Sequence, residues 1–343
     1  MEKIIFECET ITPMFLGGAD GKPELRPPTI KAAMRFWWRA LNADKPLKKL
    51  KEEEAKIFGG SGKDEGRSVV VIKILKKNLT FLNKLLPKHE VDAIHKSSTK
   101  ISILNYLTFG PCTYEKGKGY YFNRDYIQTG SSFEVLISFK EQLISKETII
   151  LLIELISYTG GLGTKSRNGF GRFNLKIKNE NYISSFENLL EQIKERKNQQ
   201  SNYTSFSKDL KIYSLNDNSF STWDKCLGKL GEIYLRGRES LDIKHNYDNR
   251  QYIAAPIIVG KGPSSLKSLI ERHAKSYFLT VIKADSNYLG YIFFLPYNYC
   301  SDHPELNNIL KNYKLNQAQL KSNFDSATAK LNTYLISKMG VVI

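Results

Sequence analysis

One segment separates two very different hydrophobic patterns. Residues 146–158 are apolar almost throughout, which predicts a buried helix, and residues 170–178 alternate, which predicts a strand. Between them stand Gly160, Gly161, Gly163, Gly169 and Gly171, five glycines within twelve residues, interleaved with Lys165, Arg167 and Arg172. Glycine admits positive φ and lets the main chain approach a ligand closely. Successive N–H groups in such a stretch can form an anion-binding concavity, and the three cations would surround it with charge. The order helix, loop, strand excludes a nucleotide P-loop, which needs a strand, then G-x-x-x-x-G-K-[ST], then a helix. Gly163-Thr164-Lys165-Ser166 also has one residue too many between Gly and Lys. At Gly62-Lys63-Asp64 the hydroxyl residue is missing, and Ile57 takes the earlier glycine position. Residues 168–173 echo the RNP1 pattern of RNA-recognition domains, with Asn168 where that pattern has a cation. Along the following strand Phe173, Leu175 and Ile177 share one face, and Arg172, Lys176 and Lys178 share the other. A basic outer sheet face of this kind suits a phosphate backbone or plain solvent.

The first 60 residues hold the other informative stretch. Residues 3–9 alternate as a half-buried strand, with Ile4, Phe6 and Cys8 on one face. A glycine-bearing loop and Pro27-Pro28-Thr29 lead into a helix predicted over residues 30–41, with Thr29 as N-cap. Ala33, Met34, Trp37 and Leu41 form its apolar stripe. Lys31, Arg35 and Arg39 stand at i, i+4 and i+8 on the opposite side beside Trp38. Each like-charge i,i+4 pair costs an isolated helix about 0.2–0.5 kcal/mol. No acid occurs on that face within the segment, so a bound anion would relieve the repulsion. Trp38 would offer a surface for base stacking. The competing expectation is a solvated basic face with Trp38 in the core. A second helix over residues 46–58 stops at Gly59-Gly60, and residues 68–74 form a β-branched strand.

Farther on, residues 78–109 show a mixed pattern and residues 111–121 read as a loop. Residues 132–139 alternate as a strand. Residues 182–197 predict a polar helix, and the turn-rich stretch 198–207 marks a domain boundary. Beyond it, strands are expected at 210–215, 251–259, 277–284 and 288–296. Helices are expected at 219–235 and 316–338. Each half opens with a strand and a helix and has a later helix among further strands. That order fits an α+β chain of two tandem ferredoxin-like (RRM-like) domains, residues 1–198 and 208–343, with antiparallel sheets covered by helices on one face.

Partners follow from charge. The chain of 343 residues has 51 Lys plus Arg against 35 Asp plus Glu, a formal balance of +16 with a pI near 9.4. Residues 1–180 hold 30 basic and 20 acidic groups, and residues 181–343 hold 21 and 15, so both halves are basic. Nucleic acid is the leading partner class. An apolar content of 41% excludes a wholly disordered chain. The longest apolar run, residues 149–157, is broken by Glu154 and falls short of the roughly 20 residues of a membrane span. The alternating charges of residues 1–9 do not resemble a secretory signal. Cys8, Cys112, Cys226 and Cys300 are far apart, as are His89, His95, His245, His273 and His303, so no metal-ligand spacing appears. A metal-free ribonuclease wants a general base near the bound phosphate, usually His, and neither basic segment contains one.

Three runs carry a resemblance. Residues 11–18 (Ile-Thr-Pro-Met-Phe-Leu-Gly-Gly), 25–31 (Leu-Arg-Pro-Pro-Thr-Ile-Lys) and 34–41 (Met-Arg-Phe-Trp-Trp-Arg-Ala-Leu) resemble the N-terminal signature of RAMP proteins. Residues 54–61 resemble its helix-to-glycine step, and residues 160–172 its glycine-rich loop before the last strand. The run at 35–41 is similar, more narrowly, to first Cmr subunits of type III-B CRISPR effectors. An Ala at position 32 or 33 departs from the Gly of many relatives. The resemblance implies two ferredoxin-like domains in a cytoplasmic ribonucleoprotein with no cofactor. It also implies single-stranded RNA as ligand, at the guide 3′ end or the target, beside other Cmr subunits. Target cutting then belongs to a different subunit. By position, Arg26, Lys31, Arg35, Arg39, Lys165 and Arg167 become RNA-contact candidates, and the reading of the residues themselves adds Trp38 and Arg172.

The sequence therefore predicts a non-catalytic RNA-binding subunit of an antiviral effector, whose basic helix and glycine-rich loop flank one groove. The rivals are a metal-independent RAMP endoribonuclease that processes CRISPR precursor RNA and a nucleotide-handling enzyme.

Overall fold

β1 (Glu2–Thr10) buries Ile4, Phe6 and Cys8, the face its alternation predicts. α1 (Pro27–Leu41), α2 (Leu47–Phe58) and β2 (Val71–Asn78) follow. An insertion then carries a hairpin of β3 (Cys112–Glu115) and β4 (Gly119–Phe122). β5 (Ser132–Phe139), α3 (Lys146–Leu155) and β6 (Phe173–Ile177) complete the first half. The sheet order is β6-β1-β5-β2, with every neighbouring pair antiparallel. Phe6 stands opposite Val135 on one side and Ile177 on the other. Ile30 of α1 and Ile153 of α3 cover that apolar face. These assignments come from a computed structural model, which describes residues 1–343 other than 19, 63–64, 94–95, 181, 183–184, 196–199, 217–218, 243–246, 255–257, 260–265, 268, 271–272 and 274.

The second half contains α4 (Phe186–Lys194), β7 (Lys211–Ser214), α5 (Trp223–Glu239), β8 (Tyr277–Ala284), β9 (Asn287–Phe294), α6 (Gln317–Ile336) and β10 (Gly340–Val341). Its sheet runs β8-β9-β7-β10, again antiparallel throughout. Counted in order of appearance, both sheets place their strands fourth, first, third, second. The fold is thus α+β, with helices packed on antiparallel sheets.

The two cores run together. Trp37 of α1 stacks on Phe206 with ring centroids 5.6 Å apart and lies 5.8 Å from Phe278 of β8. Ile212, Phe293 and Leu295 join the apolar cluster of the first half. Of the boundary expected at 198–207, residues 198–199 lie outside the described residues.

Several expectations are corrected. α1 begins three residues earlier than predicted, because Pro27 and Pro28 suit the first helical positions. Thr29 therefore lies inside the helix, and Arg26 is the N-cap, without a side-chain cap bond. Residues 111–121 are not a simple loop, since β3 and β4 fall there. The helix predicted to residue 158 ends as α3 at Leu155 and continues in a π-helical turn, Ile156–Gly160. Residues Arg250–Ile253 are helical where a strand was expected, and residues 255–257 of that stretch lie outside the described residues. A helix at Leu306–Tyr313 was not foreseen. The basic outer face of β6 is offset by acids: Lys178 pairs with Glu134 at 3.0 Å and Glu7 at 3.6 Å.

Among the described residues, no helix is long and apolar enough to cross a membrane, and no cluster of His, Cys, Asp and Glu could hold a metal ion. His95 and His245 lie outside the described residues.

Candidate nucleic-acid interface

The glycine-rich stretch fills the seam between the two halves. Thr164 N–H donates to the Phe15 carbonyl at 2.9 Å, and Leu279 N–H donates to the Arg167 carbonyl at 3.0 Å. Asn168 Nδ2 donates to the Leu107 carbonyl at 2.5 Å. The glycines serve this close packing. A Cβ on Gly160 would fall 2.2 Å from Trp37 Nε1. Gly171 has φ +75°, and a Cβ there would fall 2.0 Å from the Leu162 carbonyl oxygen. The expected close approach of backbone to a ligand is, at these positions, an approach of backbone to protein.

Its three cations have three different environments. Arg172 is fully buried. Its Nη2 donates to the carbonyls of Leu279 at 2.7 Å and Ser166 at 3.2 Å, while Nε and Nη1 have no hydrogen-bond partner. Burial lowers its pKa to about 9. It cannot reach a surface ligand, which corrects its assignment as an RNA contact. Arg167 Nη1 donates to the Lys275 carbonyl at 2.5 Å, and its guanidinium lies 4.6 Å from the centroid of Phe278 and 5.6 Å from that of Phe36. Burial lowers its pKa to about 10. No carboxylate among the described residues pairs with it. Lys165 sits at φ +64°, half-buried, and desolvation lowers its pKa. It too has no carboxylate partner among the described residues.

The basic face of α1 differs from expectation. Glu54, buried on α2, accepts from Arg35 Nε at 2.5 Å and from Arg39 Nη1 at 2.7 Å. One carboxylate from the neighbouring helix thus relieves the repulsion that was assigned to an external anion. Trp38 is buried and packs edge-on against Phe58, with centroids 6.3 Å apart, so it presents no free face for a base. Lys31 is half-buried, and desolvation followed by Arg35 lowers its pKa. Arg26 is partly exposed, donates to the Gly17 carbonyl at 3.2 Å and lies 3.6 Å from Glu24.

The helix and the loop do meet, on a different face of the helix. Thr29, Ala33 and Phe36 of α1 line a groove of about 430 Å³ together with Gly161, Ser166 and Arg167. A second cleft of about 790 Å³ is lined by Thr164 and Lys165, with Gly21, Gly110, Pro111 and Arg124. The loop is therefore a shared wall, and no carboxylate among the described residues lines either side. Phe36 and Arg124 were not singled out from the sequence. Phe36 belongs to neither the apolar stripe nor the basic face expected of the helix, and Arg124 falls in an insertion without a regular hydrophobic period.

Two histidines near these elements are engaged structurally. His273 Nε2 lies 2.9 Å from the Tyr252 carbonyl, and the Tyr297 hydroxyl is 2.5 Å from Nδ1. Burial lowers its pKa to about 4, keeping the ring neutral. His89 lies 3.9 Å from Glu232 and packs so tightly on α5 that a Cβ on Gly228 would fall 2.4 Å from its Nδ1.

Residues 7–174, which include α1, the loop and the lining of the second cleft, match the family model of the RAMP superfamily, while Phe278 of β8 adds to the first groove from outside that range. They form a RAMP domain. The chain carrying this domain is 43% identical over 65 residues to the CRISPR system Cmr subunit Cmr1-2 of Pyrococcus furiosus, covering 18% of this chain and 35% of that protein. It is 31% identical over 171 residues to subunit Cmr1-1 of the same organism, covering 48% of this chain and 45% of that protein. The matched segments thus span less than half the length of these curated relatives. The crystal structure of Cmr1 from Pyrococcus furiosus superposes with a TM-score of 0.51 at 20% identity, covering 100% of this chain and 98% of that one. The RAMP domain and the region after it therefore share the Cmr1 fold.

Proposed function

We propose that this chain is a non-catalytic RNA-binding subunit of a type III-B CRISPR ribonucleoprotein, acting in the cytoplasm beside other Cmr subunits. Its ligand is single-stranded RNA, at the guide 3′ end or on the target. The observation that carries this reading is the acid-free pair of clefts on either side of the glycine-rich loop, where Arg167, Lys165 and Arg124 face solvent-accessible space. A net charge of +16 and relatives named as Cmr subunits support it. Lys165, Arg167 and Arg124 are the contact residues of this proposal, with Arg26 and Lys31 near the helix start. Arg35 and Arg39 serve chiefly to dock α1 on α2. The non-catalytic part rests on the engagement of His89 and His273 in the protein's own packing.

The same proposal treats residues 1–198 and 208–343 as two ferredoxin-like domains. The strand order shared by both sheets supports this, with β-α-β-β-α-β succession in each half.

The test is fluorescence anisotropy with a labelled single-stranded RNA across a salt series. Affinity should fall with salt at a log–log slope of about −0.7 per neutralised phosphate. Lys165→Ala with Arg124→Ala should weaken binding and flatten the slope by about 1.4. Undiminished affinity in that double variant would remove the clefts from the function.

A further inference from the structure

Large apolar side chains exposed to solvent cluster at one place beside these clefts. Phe109 is 65% exposed, Tyr114 57% and Tyr120 42%. Tyr114 on β3 is the cross-strand partner of Tyr120 on β4, and their rings meet edge-on with centroids 5.1 Å apart. Side chains two apart on a strand share a face. At the root of the hairpin this face is buried as Cys112 and Phe122, with Phe122 stacked on Phe15 at 5.4 Å. Two residues farther out the same face leaves the body of the protein and ends in the tyrosine pair. The root is fixed: Asn123 Nδ2 donates to the Gly110 carbonyl at 3.1 Å and to the Thr113 hydroxyl at 2.8 Å. The tyrosines are therefore held in place before any ligand arrives.

The surroundings select the ligand class. Residues 109–124 hold three basic residues, Lys116, Lys118 and Arg124, against one acid, Glu115. Lys118 Nζ lies 3.8 Å from the Tyr121 ring centroid. Gly110 and Pro111 at the root line the same cleft as Lys165 and Arg124, and a Cβ on Gly110 would sit 3.5 Å from Lys165 Nζ. Aromatic faces beside a basic, acid-free cleft match a strand whose phosphates follow the cations and whose bases stack on rings.

We propose that Tyr114 and Tyr120 form a base-stacking clamp for single-stranded RNA leaving the cleft of Lys165 and Arg124. The proposal rests on the RNA-binding function above and adds which part of the nucleotide is held, and where. The test compares the full-length protein with Tyr114→Ala, Tyr120→Ala, using a single-stranded RNA and its abasic counterpart at the same salt. Wild type should bind the base-bearing strand about tenfold more tightly than the abasic one. The alanine pair should lose most of that preference while keeping its salt slope, and Tyr114→Phe, Tyr120→Phe should retain it. A preference unchanged in the alanine pair overturns the clamp while leaving RNA binding intact. The same holds for an alanine pair that binds RNA normally and loses only its association with other subunits, since the hairpin is then a protein contact. Failure of wild type to bind either strand overturns the RNA-binding function itself.

Discussion

Arg172 Nη2 donates to the Leu279 carbonyl at 2.7 Å, joining the glycine-rich loop of one half to β8 of the other. The guanidinium is fully buried and satisfies a second carbonyl, that of Ser166. Truncation removes both bonds and leaves a void, although the Ser166 carbonyl keeps the Gly169 N–H at 3.1 Å. Arg172→Ala should therefore destabilise the protein by about 2–4 kcal/mol, read as a lower midpoint in urea unfolding. An unchanged midpoint would mean that the orphaned Nε and Nη1 already cost as much as the two bonds return.

Glu54 holds Arg35 and Arg39 together on α1. Both guanidiniums are a little over one-third exposed, so water takes over part of the interaction once the carboxylate is gone. Glu54→Gln should cost about 1–2 kcal/mol, less than a fully buried pair would. Arg39→Ala should lower stability by a similar or smaller amount and leave RNA affinity within about twofold. A large affinity loss in a folded Arg39→Ala protein would return this helix face to the interface.

His273 gives the fold a pH dependence with a definite sign. Its folded pKa is lowered to about 4 by burial, from an ordinary 6.5, with Arg167 and His303 adding repulsion. Between these values the unfolded chain binds the extra proton, so stability rises with pH across that window. The contribution is complete above about pH 6.5 and is lost as pH falls toward 4, by about 3 kcal/mol in all. Urea titrations at pH 7 and pH 4.5 on wild type and His273→Gln isolate it. The variant should lose less stability than wild type on acidification, and equal losses would refute the assignment.

Regular alternation and helical spacing made α1 and most strands of the two sheets legible, but not the two-residue β10. Ile4, Phe6 and Cys8 point inward as the pattern requires, and residues 277–284 form the expected strand. What the sequence hid is tertiary. Glu54 is 15 residues from Arg39 along the chain and becomes its partner only when α2 folds back. The glycines of the loop read as room for a ligand, and Trp37 and Leu162 occupy that room. Arg172 reads as an exposed loop cation, yet its partner carbonyl at Leu279 is 107 residues away. The hairpin was missed because its strands are four residues each, too short for a period to show.

The segment that walls both clefts has its supports in each half, at Phe15 on one side and at Lys275 and Leu279 on the other. A fragment ending before the second sheet would keep every signature residue of the N-terminal region and still lack the struts that set the clefts' shape. Under the proposed function, recognition is a property of the assembled pair, and dissecting the chain at its midpoint should remove it without touching one of the proposed contact side chains.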